Sequence, residues 1–160
     1  MIIQDATAAD LPAILAIYND AVQHTTAIWN ETLVDLANRQ AWLNERNAAG
    51  FPVLVAHNDA GDVVGYASYG TWRAIEGFRH TVEHSVYVRS DQRGQGLGPV
   101  LLQALIERAQ AASLHVMGRP SRAATAPQSA CTSALASSPA DRCHKSDANS
   151  AAGWTSPLCN

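Results

Sequence analysis

The run from Thr81 to Gly98 constrains the fold more than any other part of the chain. Residues 81–88 alternate, with Val82, His84, Val86 and Val88 on one face, the period of a β-strand. A glycine-rich turn, Gln92-Arg93-Gly94-Gln95-Gly96-Leu97-Gly98, joins that strand directly to an apolar helical repeat over 97–112. Residues 114–117, Leu-His-Val-Met, then read as a further strand. Strand, turn, helix and strand in succession require an α/β arrangement.

The residues upstream supply the remaining elements. Ile2 and Ile3 open a short strand, and Thr7-Ala8-Ala9-Asp10 is a variant of the capping box at the start of a helix. Leu11, Ile14, Leu15, Ile17 and Tyr18 repeat at helical spacing. A second helix is predicted over 33–49, with Leu36, Trp42 and Leu43 facing inward and Gly50 near its stop. Residues 51–55 form a strand, Asn58-Asp59-Ala60-Gly61-Asp62 a turn, and 63–72 the returning strand of a hairpin. The predicted order is β-α-α-β-β-β-α-β without internal repeats.

Composition excludes several classes. Of 160 residues 47% are apolar and 16% charged, enough for one well-cored domain. A net charge of −3 and a pI near 6.0 argue against nucleic-acid binding through a basic face. No apolar run approaches the roughly 20 residues of a membrane helix. The start, MIIQDATAAD, lacks the basic and apolar regions of a signal peptide, so a cytoplasmic protein is expected.

The turn carries the most specific chemistry. Glycines let the backbone approach a ligand closely, and amides at a helix start converge on an anion. Arg93 adds a fixed positive charge. A phosphate cradle and a purely structural glycine-rich turn both fit the spacing. It is not a Walker loop, because no Gly-Lys-Ser/Thr follows, and Pro99 stands where a dinucleotide fingerprint places its third glycine.

Val86-Tyr87-Val88 followed by Arg93-Gly94-Gln95-Gly96-Leu97-Gly98 resembles the acetyl-CoA motif of GNAT-type N-acetyltransferases. Thr81 through Val88 narrows the resemblance to the phosphinothricin and methionine-sulfoximine acetyltransferase branch, and residues 1–117 match it in order and length. The resemblance implies a GNAT-like mixed sheet and acetyl-CoA as co-substrate. The acceptor would be the amine of a small amino-acid analogue, and the intact family fold would form a homodimer. It implies that Arg93, Gly94, Gln95, Gly96, Leu97 and Gly98 bind the CoA pyrophosphate. The backbone of Ser85, Val86, Tyr87 and Val88 would meet the pantetheine arm. Glu83 would deprotonate the substrate amine through water. Arg73, Ile75, Glu76, Gly77, Arg79, Val82 and Glu83 would line the acceptor pocket. Pro99 departs from the pattern, since it has no amide to donate.

The residues themselves are compatible with these roles and leave alternatives. Glu83 on a mostly apolar strand suits a raised pKa and proton removal, or is a solvated or salt-bridged strand residue. Arg73 and Arg79 can hold a carboxylate bidentately, or are exposed surface arginines. His80 and His84 lie four apart without an accompanying ligand set, so no metal is expected. Trp29 and Trp42 are read as packing residues.

Composition breaks near Gly118. The final 43 residues hold all three cysteines and the only lysine, with ten Ala, eight Ser and four Pro but no Val, Ile, Met, Phe or Tyr. Such a stretch can neither pattern a strand nor offset its ordering entropy. The family would continue with a helix and two strands bearing N-x-x-x-I-x-L-H/Y-x-x-x-G-F. Taking the last base of each codon with the first two of the next restores that pattern. Cys131–Thr132 must then read His or Tyr, Gln128–Ser129 with a TCN serine reads Ile or Val, and Trp154–Thr155 reads Asp. Residues 1–117 are therefore expected to be an incomplete acetyltransferase domain and 118–160 an out-of-frame tail, its cysteines by-products of the shift. The rival reading of the whole chain is an inactive remnant that binds CoA weakly or not at all; a third is another kind of phosphate-ligand module.

Overall fold

The hairpin at the centre of the fold closes where its turn chemistry dictates. In the computed structural model, which describes residues 1–25, 28 and 31–118, Asn58 Oδ1 accepts from the amides of Ala60 (3.0 Å) and Asp62 (2.8 Å). Gly61 takes φ +87°, a left-handed conformation that only glycine adopts without strain. The elements are β1 (Ile2–Asp5), α1 (Leu11–His24), α2 (Leu36–Ala48), β2 (Val53–His57), β3 (Val63–Thr71), β4 (Thr81–Val88), α3 (Leu97–Ala111) and β5 (Val116–Gly118). They reproduce the predicted order, and the strands form one mixed sheet in the order β1-β2-β3-β4-β5. All pairs are antiparallel except β4 with β5, and a parallel pair needs the crossover that α3 provides.

Helices cover both faces. Leu97, Leu101, Leu105 and Ala109 of α3 pack on Leu54, Ala56, Val64, Ala67, Tyr69 and Val82. Leu11, Ile14 and Ile17 of α1 and Leu43 of α2 pack on Val53, Val55, Val63 and Tyr66 of the other face. Strands β2 and β3 are thus buried on both sides, which is why their sequences are almost continuously apolar. On β4, Val82, Val86 and Val88 do share the α3 face, as their alternation predicts. At the start of α1, Asp10 Oδ2 accepts from both the amide and the hydroxyl of Thr7 at 2.8 Å, and His57 Nε2 lies 3.0 Å from Asp10 Oδ1.

Boundaries shift where a backbone group is otherwise engaged. Helix α2 starts at Leu36 instead of residue 33, because Asn19 brackets Val34: its Nδ2 donates to the Val34 carbonyl (3.0 Å) and its Oδ1 accepts from the Val34 amide (3.1 Å). Asp35 then caps the helix, accepting from the Asn38 amide at 2.8 Å. Leu36 is 47% exposed, contrary to its predicted inward position. Arg39 faces inward instead, its guanidinium over the rings of Tyr18 (4.2 Å) and Trp42 (5.1 Å). Strand β2 starts at Val53, since the Phe51 amide still bonds the Arg46 carbonyl and Pro52 has no donor. Strand β5 starts at Val116: the Leu114 amide closes α3 on Ala109 O, and His115 and Val116 both donate to His80 O. Trp29 and the expectations for residues 119–160 lie outside the described residues.

Gly65 sets how closely α3 approaches the sheet. A methyl group there would lie 2.9 Å from the Tyr87 carbonyl and 3.1 Å from Leu101 Cδ1. The carbonyl is part of the β4 backbone and cannot swing aside. Gly65→Ala is therefore expected to destabilise the fold by about 1–3 kcal/mol, read from denaturant midpoints. An unchanged midpoint would show that both the β4 backbone and Leu101 give way without cost.

Candidate active site

Strand β4 links three features: a glycine turn at its C-terminal end, a half-buried carboxylate, and a cleft at its N-terminal end. At the turn, Arg89 donates to Val64 O (2.9 Å), and its side chain holds Asp91 through two bonds of 2.7 and 3.0 Å. The chain then rises through Gly94 (φ +77°) and Gly96 (φ +79°), the latter being the residue before α3. A side chain at either glycine would meet nothing within 4 Å, so the conformation and not crowding calls for glycine. Leu97 is buried against the sheet and fixes the helix start, while Gln95 is exposed and Gly98 half-buried. The first-turn amides have no intrahelical acceptor, and Pro99, at the third helical position, adds none. This arrangement fits a pyrophosphate. Arg93 is less free than its sequence suggests: Nε donates to Val88 O and Nη2 to Asp20 Oδ2, both at 3.2 Å.

Along β4, Ser85, Val86, Tyr87 and Val88 pair with Ser68, Ala67, Tyr66 and Gly65 of β3. On the other side, among the described residues, β5 pairs with Thr81, Val82 and Glu83. Extended backbone of this kind can offer a ligand strand-type hydrogen bonds. Five strand steps lead from Glu83 to Val88, a distance of about 17 Å. That is of the order of an extended pantetheine arm.

Glu83 pairs with Gly70 on β3 and Gly118 on β5. Burial raises its carboxyl above the usual carboxylate range, and the Arg46 guanidinium opposes the rise. Tyr87, two pairs of positions along the strand, is pushed up to about 12, chiefly by burial, and stays a neutral phenol. Its ring lies against Tyr66, with centroids 5.1 Å apart, and meets Tyr18 edge-on at 6.3 Å.

The cleft has a volume of about 330 Å³ and is lined by Phe51, Thr71, Arg73, Ala74, Ile75, Glu76, Arg79, Thr81 and Val82. It gathers five of the residues expected around an acceptor: Arg73, Ile75, Glu76, Arg79 and Val82. Gly77 sits in the short turn Glu76–Phe78 behind the wall, and Glu83 lies one residue beyond Val82. Arg73 and Arg79 are exposed and share the lining with Glu76. Phe51, Thr71, Ala74 and Thr81 escape sequence reasoning because a cleft wall has no local signature. His80 and His84 are not a pair: His80 precedes β4 and meets the His115 ring edge-on at 5.1 Å, whereas His84 is buried in the strand. Trp42 packs edge-on against Tyr66, centroids 6.1 Å apart, as predicted for a packing residue. No helix among the described residues is long and apolar enough to cross a membrane.

A mixed sheet with one parallel strand pair, and a glycine turn at the start of the crossover helix, suits an extended phosphate-bearing ligand. Comparison with known proteins specifies which. Residues 14–124 match the acetyltransferase (GNAT) family, and the chain belongs to that family. A methionine sulfoximine/methionine sulfone acetyltransferase of Pseudomonas paraeruginosa is 73% identical over 115 residues, covering 72% of this chain and 67% of the relative. A phosphinothricin acetyltransferase of Sinorhizobium meliloti, solved in complex with acetyl-CoA, superposes with TM-score 0.82 at 32% identity, covering 84% of this chain and 73% of that one. A ribosomal-protein-alanine N-acetyltransferase from Brucella melitensis superposes with TM-score 0.83 at 56% identity, covering 85% and 83%. The fold is the GNAT fold, the enzyme class is acyltransferase, and acetyl-CoA is the co-substrate of the family.

Proposed function

We propose that this chain moves the acetyl group of acetyl-CoA to the amine of a small amino-acid analogue of the methionine sulfone, methionine sulfoximine or phosphinothricin type. The observation that carries the reading is the placement of Glu83, between a cleft bearing two arginines and a glycine turn shaped for pyrophosphate. Acetyl-CoA supplies the activated thioester. Gly94, Gln95, Gly96, Leu97 and Gly98 hold its pyrophosphate through backbone amides, with Arg93 alongside. Backbone groups of Ser85, Val86, Tyr87 and Val88 take up the pantetheine arm and polarise the acetyl carbonyl. Arg73 and Arg79 hold the acceptor's α-carboxylate, and Ile75 and Val82 flank its side chain, with Glu76 and Gly77 shaping the loop. Glu83 takes the ammonium proton through water, so that the neutral amine attacks the carbonyl carbon and the thiolate departs.

The identity of the relatives supports this acceptor class, as does the paired-arginine lining of the cleft. Methionine sulfone is expected to be acetylated at least about tenfold better, in kcat/KM, than the matching amine lacking the carboxylate, a difference of about 1.4 kcal/mol. Arg73→Ala and Arg79→Ala should each erode that preference by raising KM for the carboxylate-bearing acceptor. If both variants keep the preference intact, the loop is surface and the acceptor binds elsewhere.

Residues 1–117 are read as the acetyltransferase domain, incomplete at its C-terminal end, of a cytoplasmic enzyme that forms a homodimer when the family fold is intact. Resequencing codons 117–119 tests the out-of-frame reading of residues 118–160, and sedimentation tests the dimer.

A further inference from the structure

Gly70 is a glycine in the interior of a buried strand, where a residue without a side chain weakens the strand unless something else needs the space. What needs it is Arg46. A methyl group built on Gly70 would fall on Arg46 Nη1, with Cζ and Nη2 the next nearest atoms. The guanidinium therefore lies on β3 where a residue-70 side chain would stand. Nη1 makes a long hydrogen bond of 3.4 Å to Tyr69 O, and Cζ lies 6.0 Å from the centre of the Phe51 ring on the cleft wall.

Gly70 is the register partner of Glu83. Side chains at directly paired positions project to the same face with Cβ atoms about 5 Å apart. Arg46 reaches from α2 to fill the cross-strand place opposite the carboxylate, and no side chain of β3 separates them. We propose that Arg46, seated on Gly70, is a positioning residue for Glu83: it supplies the fixed cation that keeps the half-buried carboxylate ionised and oriented for proton removal. The inference rests on the reading of Glu83 as the base.

Other groups around this face do not take that role. Strands β3 and β5 present glycines, Gly70 and Gly118, at the paired positions. On β4 the Tyr87 phenol is neutral. On α2 Arg39 is engaged with Tyr18 and Trp42, and on α1 Asp20 is paired with Arg93. Among the described residues Arg46 is the cation that acts on Glu83, and it acts against burial. Removing it should raise the Glu83 pKa and move the acid limb of the kcat/KM profile to higher pH.

The test is a carboxylate NMR titration of the full chain labelled with ¹³C-glutamate, the Glu83 signal being the one lost in Glu83→Gln. Arg46→Gln should raise the Glu83 midpoint by about half a unit or more. Gly70→Ala keeps both charges but displaces the guanidinium, a flexible side-chain end, and should shift the midpoint the same way by less. Arg46→Lys should restore most of the wild-type value, and Arg108→Gln, whose guanidinium pairs with Asp5, should leave it in place. The acid limb of turnover should follow the same order, and added salt should shrink the differences. An unmoved Glu83 midpoint in both Arg46→Gln and Gly70→Ala overturns the proposal. Retention of full turnover by Glu83→Gln would instead overturn the reading of Glu83 as the base, and the two failures are distinct.

Discussion

Glu83→Gln is expected to lower kcat about 100-fold or more while leaving acetyl-CoA affinity within a factor of about two, because general-base contributions typically span 10²–10⁴. Glutamine keeps the size and hydrogen-bonding reach of the side chain but cannot accept a proton. The fold gives no reason for a loss of cofactor affinity: the glycine turn lies beyond the C-terminal end of β4, with Gly94 eleven positions after Glu83. The pH dependence adds a second check. Because burial raises the Glu83 carboxyl, the acid limb of kcat/KM should lie above the ordinary glutamate range, with activity lost as pH falls through it. Steady-state turnover with methionine sulfone and equilibrium binding of CoA separate the two effects. Wild-type turnover by a folded Glu83→Gln protein at neutral pH removes Glu83 from the chemistry.

Gly96→Val is expected to act on the opposite end of the strand. At φ +79° a β-branched residue is strained by roughly 1–2 kcal/mol, and relief comes by rotating the peptide groups on either side. Those groups are the amides proposed to face the pyrophosphate. CoA affinity should fall at least about tenfold, or 1.4 kcal/mol, by calorimetric titration. The site for a side chain is open, so the loss would come from backbone conformation and not from a clash with the protein. Undiminished CoA affinity in a folded Gly96→Val chain would leave the turn a structural feature only.

The two variants draw on information of different kinds. The turn was legible because its constraint is local: Gly94 and Gly96 adopt positive φ, and their spacing before an apolar helix announces it. The order of elements along the chain and the faces of β4 were legible for the same reason, since alternation and helical repeat are written residue by residue. The loop of residues 73–79 was legible as a cluster of arginines and apolar residues. Its closing of a cleft against Phe51 and Thr71 was not.

What the sequence by itself determined is the set of elements, the glycine turn and the placement of Glu83 on a strand leading into it. Tertiary structure alone decided where the long charged side chains end. Arg39 lies inward on Tyr18 and Trp42 while Leu36, one turn earlier, is exposed, and Arg46 crosses from α2 to occupy the space above Gly70. The physical reason is reach. Backbone torsions and side-chain periodicity are fixed by neighbours in the chain, whereas a guanidinium on a flexible stem goes wherever aromatic faces, carbonyls and a carboxylate are brought together by elements far apart in sequence.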